Sequence, residues 1–152
     1  YIMPQVRLYH LQKQTLDQAL PLILQKALGQ EKRVLVKMAT DKSIAAMSKI
    51  LWTFRPESFL AHGAAKDEFA ADQPILLTTE DDNLNDAGIL ILTEGATCDD
   101  LDAYDLCCEM FDGRDDAAVQ AARQRWKSYK DKGYDLTYWM QDDQGRWNEK
   151  AA

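Results

Sequence analysis

Apolar and polar positions alternate along Val6-Arg7-Leu8-Tyr9-His10, the period-two pattern of a strand. The period then changes. Leu16, Ala19, Leu20, Ile23, Ala27 and Leu28 recur at helical spacing behind Thr15, whose hydroxyl suits an N-cap, and Gly29 ends the run. Pro21 falls inside this pattern and is expected to distort the first turns, because it has no N–H to donate. Arg33 to Met38 reads as a second strand. Thr40 or Asp41 then caps a helix that runs through Ile44, Met47, Ile50 and Leu51. Pro56 breaks the helical pattern, so the stretch from Trp52 to His62 is expected as a loop or short turn carrying Trp52, Phe54 and Phe59.

Ile75-Leu76-Leu77-Thr78 and Ile89-Leu90-Ile91-Leu92 are continuous apolar runs, the kind buried on both faces of a parallel sheet, with a polar turn from Glu80 to Asp86 between them. Tyr104 to Phe111 fits either period, with a strand favoured. Asp115 or Asp116 caps a strong last helix from Ala117 to about Lys130, closed by Gly133. Leu136 to Met140 reads as a final edge strand. Strands alternating with helices predict a single three-layer α/β/α domain with a mostly parallel sheet over residues 3–141. Residues 142–152 are expected as a loose C-terminal tail. No linker, repeat or second domain shows.

With 152 residues, 46% of them hydrophobic and 28% charged, the chain suits one soluble domain with a real core. The longest apolar runs are strand-sized, well short of the roughly 20 residues that span a bilayer. The amino terminus lacks the pattern of a secretory signal. Tyr1 and Ile2 precede Met3, so the natural start is expected at Met3. Cys98, Cys107 and Cys108 form no CxxC pair and read as buried thiols of a cytoplasmic protein.

A net charge of −7 argues against a protein that grips nucleic acid directly. Its distribution says more. Residues 1–60 hold nine Lys/Arg against four Asp/Glu, residues 61–113 one against fourteen, and residues 114–152 eight against seven. Locally basic segments on an acidic protein suit an acidic peptide better than a long duplex.

An open α/β sheet is Rossmann-like and invites a nucleotide. Here the seven glycines are scattered, and neither GxGxxG nor GxxxxGK[ST] is present to cradle phosphates. Glu80-Asp81-Asp82 with Asp86, and Asp99, Asp100 and Asp102, are adjacent residues in turns. A metal pair needs carboxylates converging from separate elements. His10 and His62 have no nucleophile motif beside them and read as structural or surface residues, and Cys107-Cys108 reads as packing. No catalytic, cofactor or metal site is expected. The rival reading is a small nucleotide-binding or metal-dependent phosphoryl-transfer enzyme.

Two features ask for more. Trp52-Thr53-Phe54-Arg55-Pro56-Glu57-Ser58-Phe59-Leu60 is rich in interface-type residues for a surface loop, so it either caps the core or meets a partner. In the last helix Arg123 and Lys127, four residues apart, share one face, with Trp126 a turn beyond Arg123. A planar fork, a mobile point charge and an apolar wall suit an acidic peptide ending in an apolar residue.

Leu51-Trp52-Thr53-Phe54, Ser58-Phe59-Leu60 and His62, then Ala121-Ala122-Arg123-Gln124-Arg125-Trp126-Lys127 with Tyr129 and Gly133-Tyr134, closely resemble the chi subunit family of DNA polymerase III. Val6 to Leu11 and Lys32-Arg33-Val34 also fit, so the resemblance spans roughly residues 4–140. It implies a non-catalytic subunit that pairs with psi, which joins it to the clamp loader. It also implies binding of the acidic carboxyl-terminal tail of single-stranded DNA-binding protein, which ends in Pro-Phe. By position, Arg123, Trp126 and Lys127 then fall in the tail-binding helix, and Trp52 and Phe59 on the psi surface. Some relatives carry a basic residue one turn before Arg123, where this chain has Val119. Either the tail is then bound more weakly here, or that charge comes from Arg125 or Arg7.

Overall fold

Strand β1 (Gln5–Leu11) sends Val6 and Leu8 to one side and Tyr9 and Leu11 to the other, and all four are buried. A strand covered on both sides must lie inside a sheet, and β1 does. The structure, a computed structural model, describes residues 5–11, 15–30, 32–53, 62–64, 74–80, 83, 85–96, 101, 104–141 and 147–150. Helix α1 (Leu16–Gly29) comes after β1, then β2 (Val34–Lys37), α2 (Asp41–Thr53), β3 (His62–Ala64), β4 (Ile75–Thr78) and β5 (Ile89–Leu92). The chain continues with β6 (Leu106–Asp112), α3 (Asp116–Asp131), β7 (Asp135–Gln141) and β8 (Trp147–Lys150).

The eight strands among the described residues lie in one sheet in the order β3-β4-β2-β5-β6-β1-β7-β8. Every pairing from β3 to β7 is parallel, and β8 alone runs antiparallel, on β7. The apolar runs Ile75–Thr78 and Ile89–Leu92 are interior strands, as two-sided burial requires. One core holds Leu20 and Leu24 of α1 and Met47 and Leu51 of α2 against Val36, Leu77, Ile91 and Met110 of the sheet. On the opposite face Ala122 and Tyr129 of α3 pack with Leu8, Leu90, Cys107 and Phe111. The three-layer α/β/α reading therefore holds.

The helix starts arise from short-range chemistry. Thr15 precedes α1, with its carbonyl accepting from the amides of Gln18 and Ala19 and its own amide donating to Gln18 Oε1 at 3.1 Å. The Thr40 hydroxyl accepts from Ser43 N at 3.1 Å at the head of α2. Helix α1 runs from Leu16 to Gly29 with Pro21 inside it.

Three local readings change. Residues 135–141 form β7, which is not an edge strand but lies between β1 and β8. Trp147–Lys150, expected within the loose tail, is β8 and forms the sheet edge. Its Trp147 ring meets Tyr9 edge-on, with centroids 4.9 Å apart. His62, expected to close a loop, opens β3, which adds to β4 through backbone register although His-Gly-Ala has little strand propensity. Trp52 and Thr53 belong to the last turn of α2. The side chain of Trp52 and all of Phe54 and Phe59 lie outside the described residues, as do Asp81, Asp82, Cys98, Asp99, Asp100 and Asp102.

Candidate functional site

Helix α3 is built to lie on the sheet with a charged outer face. Its N-cap, Asp115, accepts from Ala117 N at 3.0 Å through its side chain. At the other end Tyr134 N donates to Tyr129 O and Gly133 N to Lys130 O, a Schellman closure that places Gly133 at φ +83°. Tyr134 and Tyr129 meet edge-on at 6.1 Å, the ring contact that secures this turn toward β7. Ala122 and Tyr129 are buried, Val119 and Trp126 half-buried, and Arg123, Lys127 and Lys130 exposed.

The Trp126 ring stands edge-on to Tyr138 of β7, centroids 6.0 Å apart and planes at 76°. Tyr138 in turn contacts Phe111 at 6.1 Å and His10 at 5.9 Å, and its hydroxyl shares a 2.5 Å hydrogen bond with His10 Nδ1. His10 lies over Phe111 at 5.1 Å. One residue from each of β1, β6 and β7 thus forms an aromatic floor that Trp126 continues onto α3. Arg123 belongs to the same neighbourhood. Burial first, and then the Arg123 charge, hold the His10 pKa below its ordinary value, so the ring is neutral at pH 7 and can accept from Tyr138. Burial raises the Tyr138 pKa while Arg123 opposes the rise.

Arg123 and Lys127 have no ion-pair partner among the described residues. They are one helical turn apart and flank the indole in sequence. An anion approaching this face meets exposed cationic donors beside an apolar wall. The floor residues His10, Phe111 and Tyr138 were not singled out as a site from the sequence. Their common feature, an aromatic on the same side of three strands that become neighbours, is visible only once strand order is known.

The two substitutes for the charge missing at Val119 are placed elsewhere. Arg125 donates its Nε–H to Glu109 in a short contact, and Tyr129 Oη donates to Glu109 Oε2 at 3.0 Å. Glu109 is only 2% exposed, so Arg125 is committed to neutralising a carboxylate inside the protein. Arg7 lies on the α1 side of the sheet, 5.6 Å above the Trp139 ring centre, with Nη1 donating to Tyr9 Oη at 3.4 Å. Val119 itself packs against the α3-side core.

Gly113 fixes the floor's edge. Its amide donates to Leu11 O at 2.7 Å, and a Cβ there would collide with the His10 ring and come within 2.8 Å of the Leu11 carbonyl oxygen. Gly113→Ala is therefore expected to destabilise the protein by about 1–3 kcal/mol, the range for forced overpacking. Urea unfolding measures this, and an unchanged midpoint would show that the His10 ring yields freely.

Among the described residues no three His, Cys, Asp or Glu side chains converge as a metal site. Cys107 and Cys108 are buried thiols, not joined in a disulfide, that pack in the core.

Residues 3–137 match the family model described as DNA polymerase III chi subunit, HolC. A curated relative, "Probable DNA polymerase III subunit chi" from Rickettsia prowazekii (strain Madrid E), is 27% identical over 90 residues. The match covers 59% of this chain and 54% of that protein, so it spans about half the relative's length. Strands β1 and β6 and helix α3 lie within the matched residues, and β7 does so only in its first part. The chain belongs to the DNA polymerase III chi subunit family.

Proposed function

We propose that this chain is a non-catalytic accessory subunit of a bacterial DNA polymerase III holoenzyme, acting in the cytoplasm at the replisome. It pairs with psi, and through psi with the clamp loader, and it binds the acidic carboxyl-terminal tail of single-stranded DNA-binding protein. Nucleic acid is reached only indirectly. The observation that carries the reading is that Arg123 and Lys127 are exposed and, among the described residues, without an ion-pair partner, beside Trp126, whose ring rests on Tyr138. A tail ending in Pro-Phe brings a ring for the aromatic wall and carboxylates for the two cations. No helix among the described residues is long and apolar enough to cross a membrane.

The psi surface is assigned to Trp52, in the last turn of α2, and to Phe59, further along the chain. Substituting both by alanine is expected to abolish co-purification with psi from a co-expressing cell while the tail peptide still binds. Undiminished co-purification would remove psi from that segment. Binding of a Pro-Phe-terminated acidic peptide, followed by calorimetry with Arg123 and Lys127 variants, tests the other half.

The rival enzyme reading has its best location where connections from the adjacent strands β1 and β6 leave over opposite faces of the sheet. A crevice of about 590 Å³ lies there, lined in part by Thr15, Asp17, Glu94, Asp112, Asp115 and Arg125. Helix N-termini can hold phosphate through free amides. Here Asp115 holds the Ala117 amide, Asp112 Oδ1 holds that of Arg114 at 2.9 Å, and Glu94 accepts from Ala39 N and Ser43 Oγ. A phosphate would have to displace the chain's own carboxylates, which supports the adaptor reading. Metal-dependent nucleotide turnover that is lost on Asp81→Asn or Asp99→Asn would reinstate the rival.

A further inference from the structure

The face of the sheet opposite α3 carries a cleft that the adaptor reading does not use. It lies between α1 and the β7–β8 end of the sheet, with a volume of about 540 Å³, inside the usual range for small-molecule sites. Trp139 and Trp147 form one wall, Leu22 and Ile23 of α1 the other, and Tyr9 and Cys108 contribute from the strands between. Within these apolar surroundings sits one half-buried cation, Arg7. Its guanidinium lies over Trp139 and gives one donor to Tyr9 Oη, and it has no carboxylate within ion-pair distance among the described residues. Glu149 of β8 acts on it only from a longer range. Lys26, exposed on the last turn of α1, adds a second positive charge to the lining.

Arg carries five N–H donors in a rigid fork, and the tyrosine hydroxyl takes one. A fork 5.6 Å from the indole centre, without an ion-pair partner among the described residues and in a cleft with aromatic and branched walls, can receive a single carboxylate. A dianionic phosphate fits less well, since Glu149 already places a negative charge within electrostatic range of the fork and the apolar walls offer little hydration. Cys108 is no rival ligand, because full burial pushes its thiol up to about 12.

We propose that this cleft is a second binding site, for a small monocarboxylate carried on an aromatic or branched apolar body, with Arg7 as the carboxylate fork. It lies on the opposite face of the sheet from the Arg123 face and is independent of the tail assignment.

The test uses the full chain and 3-phenylpropionate as the probe, with 3-phenylpropionamide as its uncharged twin, read by calorimetry and by the indole N–H resonances. The acid shifts the Trp139 and Trp147 resonances and leaves Trp126 in place, and it binds at least about tenfold more tightly than the amide. Arg7→Gln removes that preference, Arg7→Lys restores part of it, and Arg123→Ala leaves it intact. Should Arg7→Gln unfold the protein, the resonance map and the acid–amide comparison in the unmodified chain still decide. Equal binding of acid and amide, shifts confined to Trp126, or no binding at millimolar probe overturns the proposal. An acidic peptide ending in Pro-Phe that shifts Trp139 and Trp147 instead would also overturn it, by making the cleft a peptide site.

Discussion

Arg125→Ala is expected to cost about 3–5 kcal/mol of stability at neutral pH, the range for breaking a buried ion pair from one side. The reason lies beneath α3. Glu109 is 2% exposed, with Arg125 on one carboxylate oxygen and the Tyr129 hydroxyl on the other. Burial pushes the Glu109 carboxyl above its ordinary pKa, and Arg125 and Tyr129 pull it back. Without the guanidinium the charge keeps one neutral donor, and the pKa climbs further. The pH dependence then has a definite sign. The folded variant holds a proton on Glu109 that the unfolded chain has already released, so stability is greatest below the unfolded carboxyl pKa, about 4.3. It falls as pH rises through the folded value. The deficit relative to the unmodified protein therefore shrinks on acidification. Replacing Glu109 and Arg125 together by Met should recover much of the loss, since an apolar pair of similar volume avoids the desolvation cost. Urea unfolding at several pH values measures all of this. A loss under about 1 kcal/mol, or one that grows toward low pH, would show that Arg125 does not neutralise Glu109.

The elements with a strong period were legible in the sequence and those without one were not. Ile75–Thr78 and Ile89–Leu92 are read to the residue, because three or four apolar positions in succession have no place except between two covered faces. Asp115, Gly133 and the apolar stripe between them mark α3 with equal clarity. By contrast β3 is His-Gly-Ala, and β8 is one tryptophan followed by Asn, Glu and Lys. Both exist because a neighbouring strand offers unpaired backbone groups, a tertiary effect with no local signature. The charged residues of β8 also suit the sheet edge it occupies. The placing of β7 at the edge failed for the same reason, since nothing in Leu136 to Met140 announces β8.

The site was legible in part. Spacing of four places Arg123 and Lys127 on one face, and the structure leaves both exposed. Spacing could not tell Arg125 from Arg123. They are two residues apart, 200° around the helix, and only the position of Glu109 on β6 decides which cation is spent inside the protein. The floor of His10, Phe111 and Tyr138 comes from residues as far as 128 positions apart, brought together by parallel register between β1, β6 and β7.

Arg123→Ala is expected to weaken binding of an acidic, Pro-Phe-terminated peptide roughly ten- to a hundredfold, because a hydrogen bond to a charged group contributes about 1.5–3 kcal/mol. The protein should stay folded, since Arg123 is exposed and has no ion-pair partner among the described residues. Lys127→Ala should cost less, because a flexible ammonium offers a point charge where Arg offers a fork. Both losses should diminish with added salt, which screens exposed charges over about 10 Å at 0.1 M. Trp126→Ala should remove the apolar wall and weaken binding with little salt dependence.

The most direct test of the central claim is a calorimetric double cycle at low salt, pairing Arg123→Ala with amidation of the peptide's terminal carboxylate. If Arg123 is the fork for that carboxylate, either change alone weakens binding to a similar degree, and the two together cost clearly less than their sum. Full additivity, or unmodified affinity for Arg123→Ala, would contradict the account and place the tail somewhere other than α3.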